Sequence, residues 1–592
     1  MMEASRWQWS RTRAWCLAIA VGSLSTGPAA ALSPPPPPTP EQHPVTDLFL
    51  AGGALNICSS LASKYCAEDF ELPPGRRPAS YRLDAAGMAL ATAPALWTGA
   101  AEGRLESVRA LLQAGRKIAG TGDLDDDQIR DVFAAACRRS VASAACAPSP
   151  LWERLGDDER GAILSALEQP QTDADGSRMR EHVSLTEGRD SAGAEILRAF
   201  VASAKKRANG VPKVAFVTAS SFDSMDAVDY YLAALRQAGA DPRWWPVDQA
   251  LAAVVFGEGD CQQLDAERQQ TLKIAGRERV YSDHAASQLA WCQRPDAAQF
   301  PDDLDGIFFA GGDQWRLRLA LVDADGAPNA WMRGIRKAFA SGRIAVAGTS
   351  AGSAVQSALA MVGNGTSEFA LSNRGHMRPP PQPGCARSGR CGDVSEDSLT
   401  WWSAGGIGLA PFVVDTHFSE RAREWRLLTL LAQSGDRAGL GVDETSALHL
   451  QAQADGSLAI VALGRSGGWL FSVEEASCGK VEGLANYLAP GHRLHWRDGM
   501  AVLPTDSAAV AHTGAERRLD AQAGLVSTAL RTSLQSLVPM DAGPLVFADD
   551  TLSLRLARGA QTVAFEGVRE LRSVLAVQFD LRWPQAGCSA RQ

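Results

Sequence analysis

Ile344-Ala-Val-Ala-Gly-Thr-Ser-Ala-Gly352 is an apolar run that ends in Gly348-Thr349-Ser350-Ala351-Gly352 and passes into helix-compatible sequence. A short apolar run without polar alternation is the signature of a strand buried on both faces. The flanking glycines let the chain turn sharply, so that the Ser350 hydroxyl stands exposed above a sheet and the Ala351 N–H is placed for a developing oxyanion. A tight structural turn would also use GxSxG. The strand before it and the helix after it supply the context of a nucleophile elbow.

Outward from this elbow, the same alternation recurs. Strands are predicted over Lys213–Thr218, Asp305–Ala310 and Ile344–Ala347, and helices over Met225–Ala238 and Ala330–Ala340. Apolar strands interleaved with amphipathic helices define an α/β fold, a mostly parallel sheet with helices on both faces. Thr46-Asp-Leu-Phe-Leu-Ala-Gly-Gly53 adds a buried strand that ends in a glycine turn, and Phe412–His417 and Leu440–Ala447 read as strands with polar tips. Ligands of such sheets gather at the carboxyl ends of the strands, so the polar tips are expected to meet at one sheet.

A weak nucleophile needs a base and an orienting acid. Of nine histidines, His417 alone ends an apolar strand, Pro411-Phe-Val-Val-Asp-Thr-His417, and is the best candidate base. Asp443 and Glu444 close the next strand-like unit, Gly439-Leu-Gly-Val-Asp-Glu444. In an extended segment only one of two adjacent side chains can face the imidazole. Phe308-Phe-Ala-Gly-Gly-Asp-Gln-Trp315 is another strand with a glycine pair at its end. It offers the Gly312 N–H as a second oxyanion donor and Gln314 as a partner for a substrate amide or carboxylate; a plain strand-to-helix turn would explain the glycines alone.

Composition bounds the rest. The 592 residues are 45% apolar and 21% charged, so the chain is long enough for several domains and too apolar for bulk disorder. With 58 basic against 67 acidic residues and a net charge of −9, no basic field exists to hold a nucleic acid or an anionic membrane. Arg6, Arg11 and Arg13 ahead of Ala14–Leu24 and Ala29-Ala30-Ala31 read as a signal peptide over 1–31, whose apolar run is too short to span a membrane. No membrane span is expected elsewhere. A Pro-rich spacer over 32–45, with Pro34–Pro38 at its heart, precedes the folded part.

Ten of the eleven cysteines lie beyond the leader. They are expected as disulfides, Cys58 with Cys66, Cys137 with Cys146, Cys261 with Cys292, Cys385 with Cys391, and Cys478 with Cys588, because an exported chain meets an oxidising compartment. None forms a CxxC and no histidine sits at ligand spacing, so no metal and no cofactor are expected. Residues of about 67–190 read as a helical insertion in a catalytic domain over 46–478, and 479–592 as a small strand-rich accessory region. Asp123, Asp125 and Asp127 resemble the start of a calcium loop, but Gln128 and Ala134 stand where such a loop needs Gly and a bidentate acid. An acidic helix N-terminus explains them.

Gly-Gly-Asp-Gln at 311–314, Gly-Thr-Ser-Ala-Gly at 348–352, Asp-x-His-Phe-Ser-Glu-Arg-x-Arg at 415–423 and Gly-Val-Asp-Glu at 441–444 together resemble cyanophycinase, of the serine peptidase family that includes aspartyl dipeptidase. The resemblance covers about 46–66 and 190–475. It implies a class I glutamine amidotransferase-like fold, usually in a homodimer, and cleavage of β-aspartyl-arginine linkages in cyanophycin, with Ser350 attacking the side-chain amide carbonyl and an acyl-enzyme following. By position it makes Ser350 the nucleophile, His417 the base and Glu444 the acid, with Gln314, Asp415, Arg421 and Arg423 lining the substrate pocket. Thr416 stands where the family often has Gln. An aspartyl or isoaspartyl peptidase acting on other peptides, and a non-catalytic envelope binding protein, remain the alternatives. The leader places the protein in the periplasm or outside the cell.

Overall fold

The computed structural model describes residues 47–98, 103–139, 150–257, 259–323, 325–503, 514–537, 542–566 and 571–584. The signal peptide and the Pro-rich spacer expected before residue 46 lie outside the described residues.

Among the described residues, nine strands form the first sheet. Leu48–Ala51 lies at its centre and pairs in parallel with Ala345–Thr349; Gly306–Phe309, Lys213–Val217 and Asp241–Trp244 continue the parallel half outward. On the other side of Leu48–Ala51 the sheet is antiparallel, through Ser446–Ala452, Leu458–Gly464, Arg493–Arg497 and Met500–Val502. The sheet is therefore mixed, with five parallel strands carrying the pattern read from sequence. Along these strands neighbouring residues serve opposite cores. Phe49, Phe216 and Ala347 pack under the helices Ala192–Lys205 and Val228–Gln237, whereas Leu50, Val217 and Val346 face Gln249–Phe256 and Ala330–Ala340. Two-sided burial is why these strands read as unbroken apolar runs.

A second, eight-stranded sheet begins with Val413–Thr416 and Ala438–Val442, which are parallel, and runs on through Gly468–Ser477, Lys480–Leu488, Arg572–Arg582 and Ser553–Glu566 to Leu545–Ala548 and Arg517–Asp520. The polar-tipped strands thus divide between two sheets rather than sharing one. The predicted strand Leu440–Ala447 is two strands: Ala438–Val442 belongs to the second sheet and Ser446–Ala452 to the first, with a turn at 443–445 where Thr445 takes a positive φ of 54°. Leu440 and Val442 share a core with Leu448 and Leu450, so this crossing holds the sheets against one another. Residue 478 falls in a hairpin turn of the second sheet; beyond it Arg493–Arg497 and Met500–Val502 join the first sheet, and the other strands extend the second.

The segment 67–190 contains helices at Ala85–Ala91, Leu105–Ala119, Asp126–Arg139 and Asp157–Leu167 around a core of their own, including Leu112, Phe133 and Trp152. Asp125 accepts hydrogen bonds from the Asp127 and Gln128 N–H groups, which caps the helix that follows. Disulfides join Cys58–Cys66, Cys261–Cys292 and Cys385–Cys391. Cys137 and Cys478 are disulfide-bonded as well, and their expected partners, Cys146 and Cys588, lie outside the described residues.

Candidate functional site

Ser350 sits between the strand Ala345–Thr349 and the helical turn Ala351–Ala354, with φ 52° and ψ −119°. A non-glycine residue held there is strained, and the packing that enforces it is glycine-dependent. A Cβ on Gly348 would lie 2.1 Å from the Gly352 carbonyl oxygen, and one on Gly352 2.1 Å from that of Phe309. The turn lifts the hydroxyl toward His417, whose Nε2 is 2.7 Å from Ser350 Oγ. His417 also has a positive φ, 50°, where its chain leaves the second sheet. Its Nδ1 lies 2.6 Å from Glu444 Oε1. The carboxylate can only accept, so the ring proton sits on Nδ1 and Nε2 is left to accept from the serine hydroxyl.

The structure brings together the three residues singled out in sequence, from the ends of strands in two different sheets. Burial pushes the imidazole below its ordinary pKa, to about 4; the Glu444 carboxylate opposes this, while Arg421 and Arg423 add to it. The ring is therefore neutral at neutral pH, as a proton acceptor must be. Glu444 and Asp443 part company by a turn, not by the alternation of an extended strand. Asp443 is fully buried and accepts from the Ser419 N–H, Tyr487 hydroxyl and Arg531 guanidinium. Arg531 also bonds Glu420, which accepts from the Glu444 N–H. A residue far along the chain, in the helix Ala529–Gln535, thus braces the segment that carries Glu444.

A cavity of about 410 Å³ opens over Ser350 and is lined by Gly312, Gln314, Asp415, Arg421 and Arg423 among others. Gly312 and Ala351 N–H groups have no acceptor among the described residues. Gln314 donates through Nε2 to the Val362 and Gly363 carbonyls, so only its amide oxygen is open. That oxygen can meet a substrate N–H but not a carboxylate, which narrows the expectation from sequence. Asp415 is 1% exposed, and its carboxylate is gripped by Arg426 through contacts of 2.6–3.0 Å. Burial would raise its pKa, but Arg426 and Arg423 overcome that and hold it low. Asp415 accordingly anchors cations at the pocket floor and leaves no free oxygen for a substrate. Arg423 donates to the Thr416 carbonyl and Arg421 is half-exposed near Glu444.

Arg426, three residues beyond the motif, is the partner that Asp415 needs. One contributor escaped the sequence. Gly53 underlies the imidazole, where a Cβ would stand 2.3 Å from His417 Cε1; its glycine turn was the only signal. Cys385, Cys391 and Glu396 cluster within 4.8 Å, but the sulfurs are joined to each other and Glu396 accepts from the Gly384 and Ala386 N–H groups, which leaves no metal-ligand set there.

Fold and site define a mixed α/β protein with a large parallel-containing sheet and a serine, histidine and glutamate in hydrogen-bonded series. Among known proteins, the chain is similar to cyanophycinases. It is 31% identical over 207 residues to the cyanophycinases of Trichormus variabilis and of a Nostoc species, covering 34% of this chain and 55% of each relative. It is 29% identical over 157 residues to that of Geminocystis herdmanii, covering 26% of this chain and 46% of the relative. The chain spans about half the length of the curated relatives it matches. No family model matches. A solved peptidase from an acI-B1 Actinobacterium aligns at 17% identity and a TM-score of 0.30, over 52% of this chain and 91% of that one.

Proposed function

We propose that the protein is an exported serine-type peptidase that depolymerises cyanophycin, and that it shares the class I glutamine amidotransferase-like fold of that family. The observation that carries the reading is the unbroken series Ser350–His417–Glu444, at 2.7 and 2.6 Å, beside a pocket carrying both signs of charge. Similarity to cyanophycinases supports the substrate, and the leader sequence with the disulfides supports export.

His417 Nε2 takes the Ser350 proton as Oγ bonds to the carbonyl carbon. The Gly312 and Ala351 N–H groups stabilise the oxyanion, and Glu444 stabilises the imidazolium. His417 then gives the proton to the leaving nitrogen as the C–N bond breaks. A water, deprotonated by His417, hydrolyses the resulting acyl-enzyme and restores the serine. Release of β-Asp-Arg as a soluble product requires that the attacked carbonyl join successive units. This replaces the side-chain amide named from sequence, since attack inside a unit would release free arginine. Arg421 and Arg423 supply cations for substrate carboxylates, and Glu396 and Asp397 add acids to the lining.

Incubation of the leader-free protein with insoluble cyanophycin tests the reading. The expected result is soluble β-Asp-Arg from the wild type and none from Ser350→Ala. No soluble dipeptide from either would overturn the substrate, and full activity of Ser350→Ala would overturn the nucleophile.

A further inference from the structure

The pocket over Ser350 has a neighbour. Asp313, Pro380, Pro381 and Pro383 line both that pocket and a second cavity of about 360 Å³, so the two are adjacent. The far walls come from elsewhere: Leu96 and Glu159 from the helical insertion, Leu272, Lys273 and Leu319 from segments packed beside the first sheet. The strap 380–383 is fixed in place. Its Pro383 carbonyl accepts from the Asp157 N–H, Arg104 donates to the Ser388 carbonyl, and Cys385–Cys391 closes the loop that follows. A preformed cavity of this kind needs no rearrangement to receive a ligand.

One cation in it lacks a partner of the kind it calls for. Lys273, with a positive φ of 58°, donates to Thr98 Oγ1 at 2.6 Å and to the Ala95 carbonyl at 3.2 Å, and meets no carboxylate among the described residues. The Glu159 side chain is 6% exposed. Its Oε2 accepts from the Gly156 N–H and is paired with both Arg104 and Arg390, so Glu159 serves to fix the cavity wall. An ammonium hydrogen-bonded only to neutral oxygens calls for an anion. Between them, Leu96, Leu272 and Leu319 offer apolar surface for a methylene stem.

We propose that this cavity is a second substrate subsite, which holds the unit next to those spanning the scissile bond, with its carboxylate at Lys273. The helical insertion thereby makes the protein selective for chains over two-unit fragments. The inference rests on the cyanophycin reading above.

Soluble two-unit and four-unit β-aspartyl-arginine oligomers, hydrolysed by the full chain and by Lys273→Met and Leu319→Trp, test it. The wild type should favour the four-unit oligomer. Each variant should raise KM for that oligomer about tenfold with kcat unchanged, and leave the two-unit substrate unaffected. Leu319 is 37% exposed, so its replacement by Trp plugs the cavity without emptying a core and carries the test if Lys273→Met misfolds. Equal treatment of the two lengths by the wild type, or equal losses on both in the variants, would overturn the subsite alone. Hydrolysis of neither length by the wild type would overturn the substrate reading and the subsite with it.

Discussion

Adjacent carboxylates at 443 and 444 should fail in opposite ways when each is made neutral. Glu444→Gln keeps the size of the side chain but lets an NH2 face His417 Nδ1, which moves the ring proton to Nε2 and leaves Ser350 without an acceptor. A wrong tautomer of this kind lowers the chemical step by about 10⁴, roughly 5.5 kcal/mol of barrier. Little stability is at stake, because Glu444 is part-exposed and bonded mainly to the imidazole. Asp443→Asn acts elsewhere. Its carboxylate accepts from Ser419, Tyr487 and Arg531, and an Asn must turn its NH2 toward at least one of these donors. Breaking a buried ion pair costs about 3–5 kcal/mol, and Glu420 still faces Arg531, so about 3 kcal/mol is expected. Turnover and the rate of Ser350 labelling by a serine-directed phosphonate, measured beside denaturant unfolding, separate the two effects. A Glu444→Gln protein within tenfold of wild type on both rates, or an Asp443→Asn protein that unfolds like wild type, would refute the reasoning.

Gly53→Ala should leave the protein folded but displace the imidazole, since a Cβ there overlaps the ring; phosphonate labelling should fall at least about 100-fold, and an unchanged rate would contradict the placement of His417. The acid limb of kcat/KM should lie below pH 6.5, because burial, Arg421 and Arg423 disfavour the imidazolium and protonation alone silences the base. Arg421→Ala should move that limb upward by about a few tenths of a pH unit, as the half-exposed guanidinium is partly screened; a downward move would reverse the sign argued here. Because the folded pKa is depressed, this group also withdraws stability as pH falls below 6.5 toward the folded value, which acid-unfolding curves with and without His417 can check. Protein from an oxidising compartment should show no free thiol when titrated denatured and unreduced, and several thiols would contradict the expected pairing.

The elbow at Gly348–Gly352, the parallel strands and the candidate base His417 were legible in the sequence because each is a local matter. Two-sided burial writes a continuous apolar run, a strained turn demands glycine, and a polar residue at a strand end stands out against it. Local pattern also marked the insertion as helical, with an acidic helix N-terminus near Asp125. It could not say that the segment after Ala438 divides between two sheets, because a turn residue such as Thr445 adopts its positive φ only when flanking strands pair in different places. Nor could it assign Asp415, which reads as a polar tip but spends its carboxylate on Arg426. The brace from Arg531 to Glu420 and Asp443 joins residues 111 and 88 positions apart, and the second cavity unites the insertion, a strap and the sheet flank. Sequence fixes which side chains can accept or donate a proton; only the tertiary packing decides which partners reach them, because hydrogen bonds and ion pairs depend on distances of a few tenths of an ångström that distant segments set together.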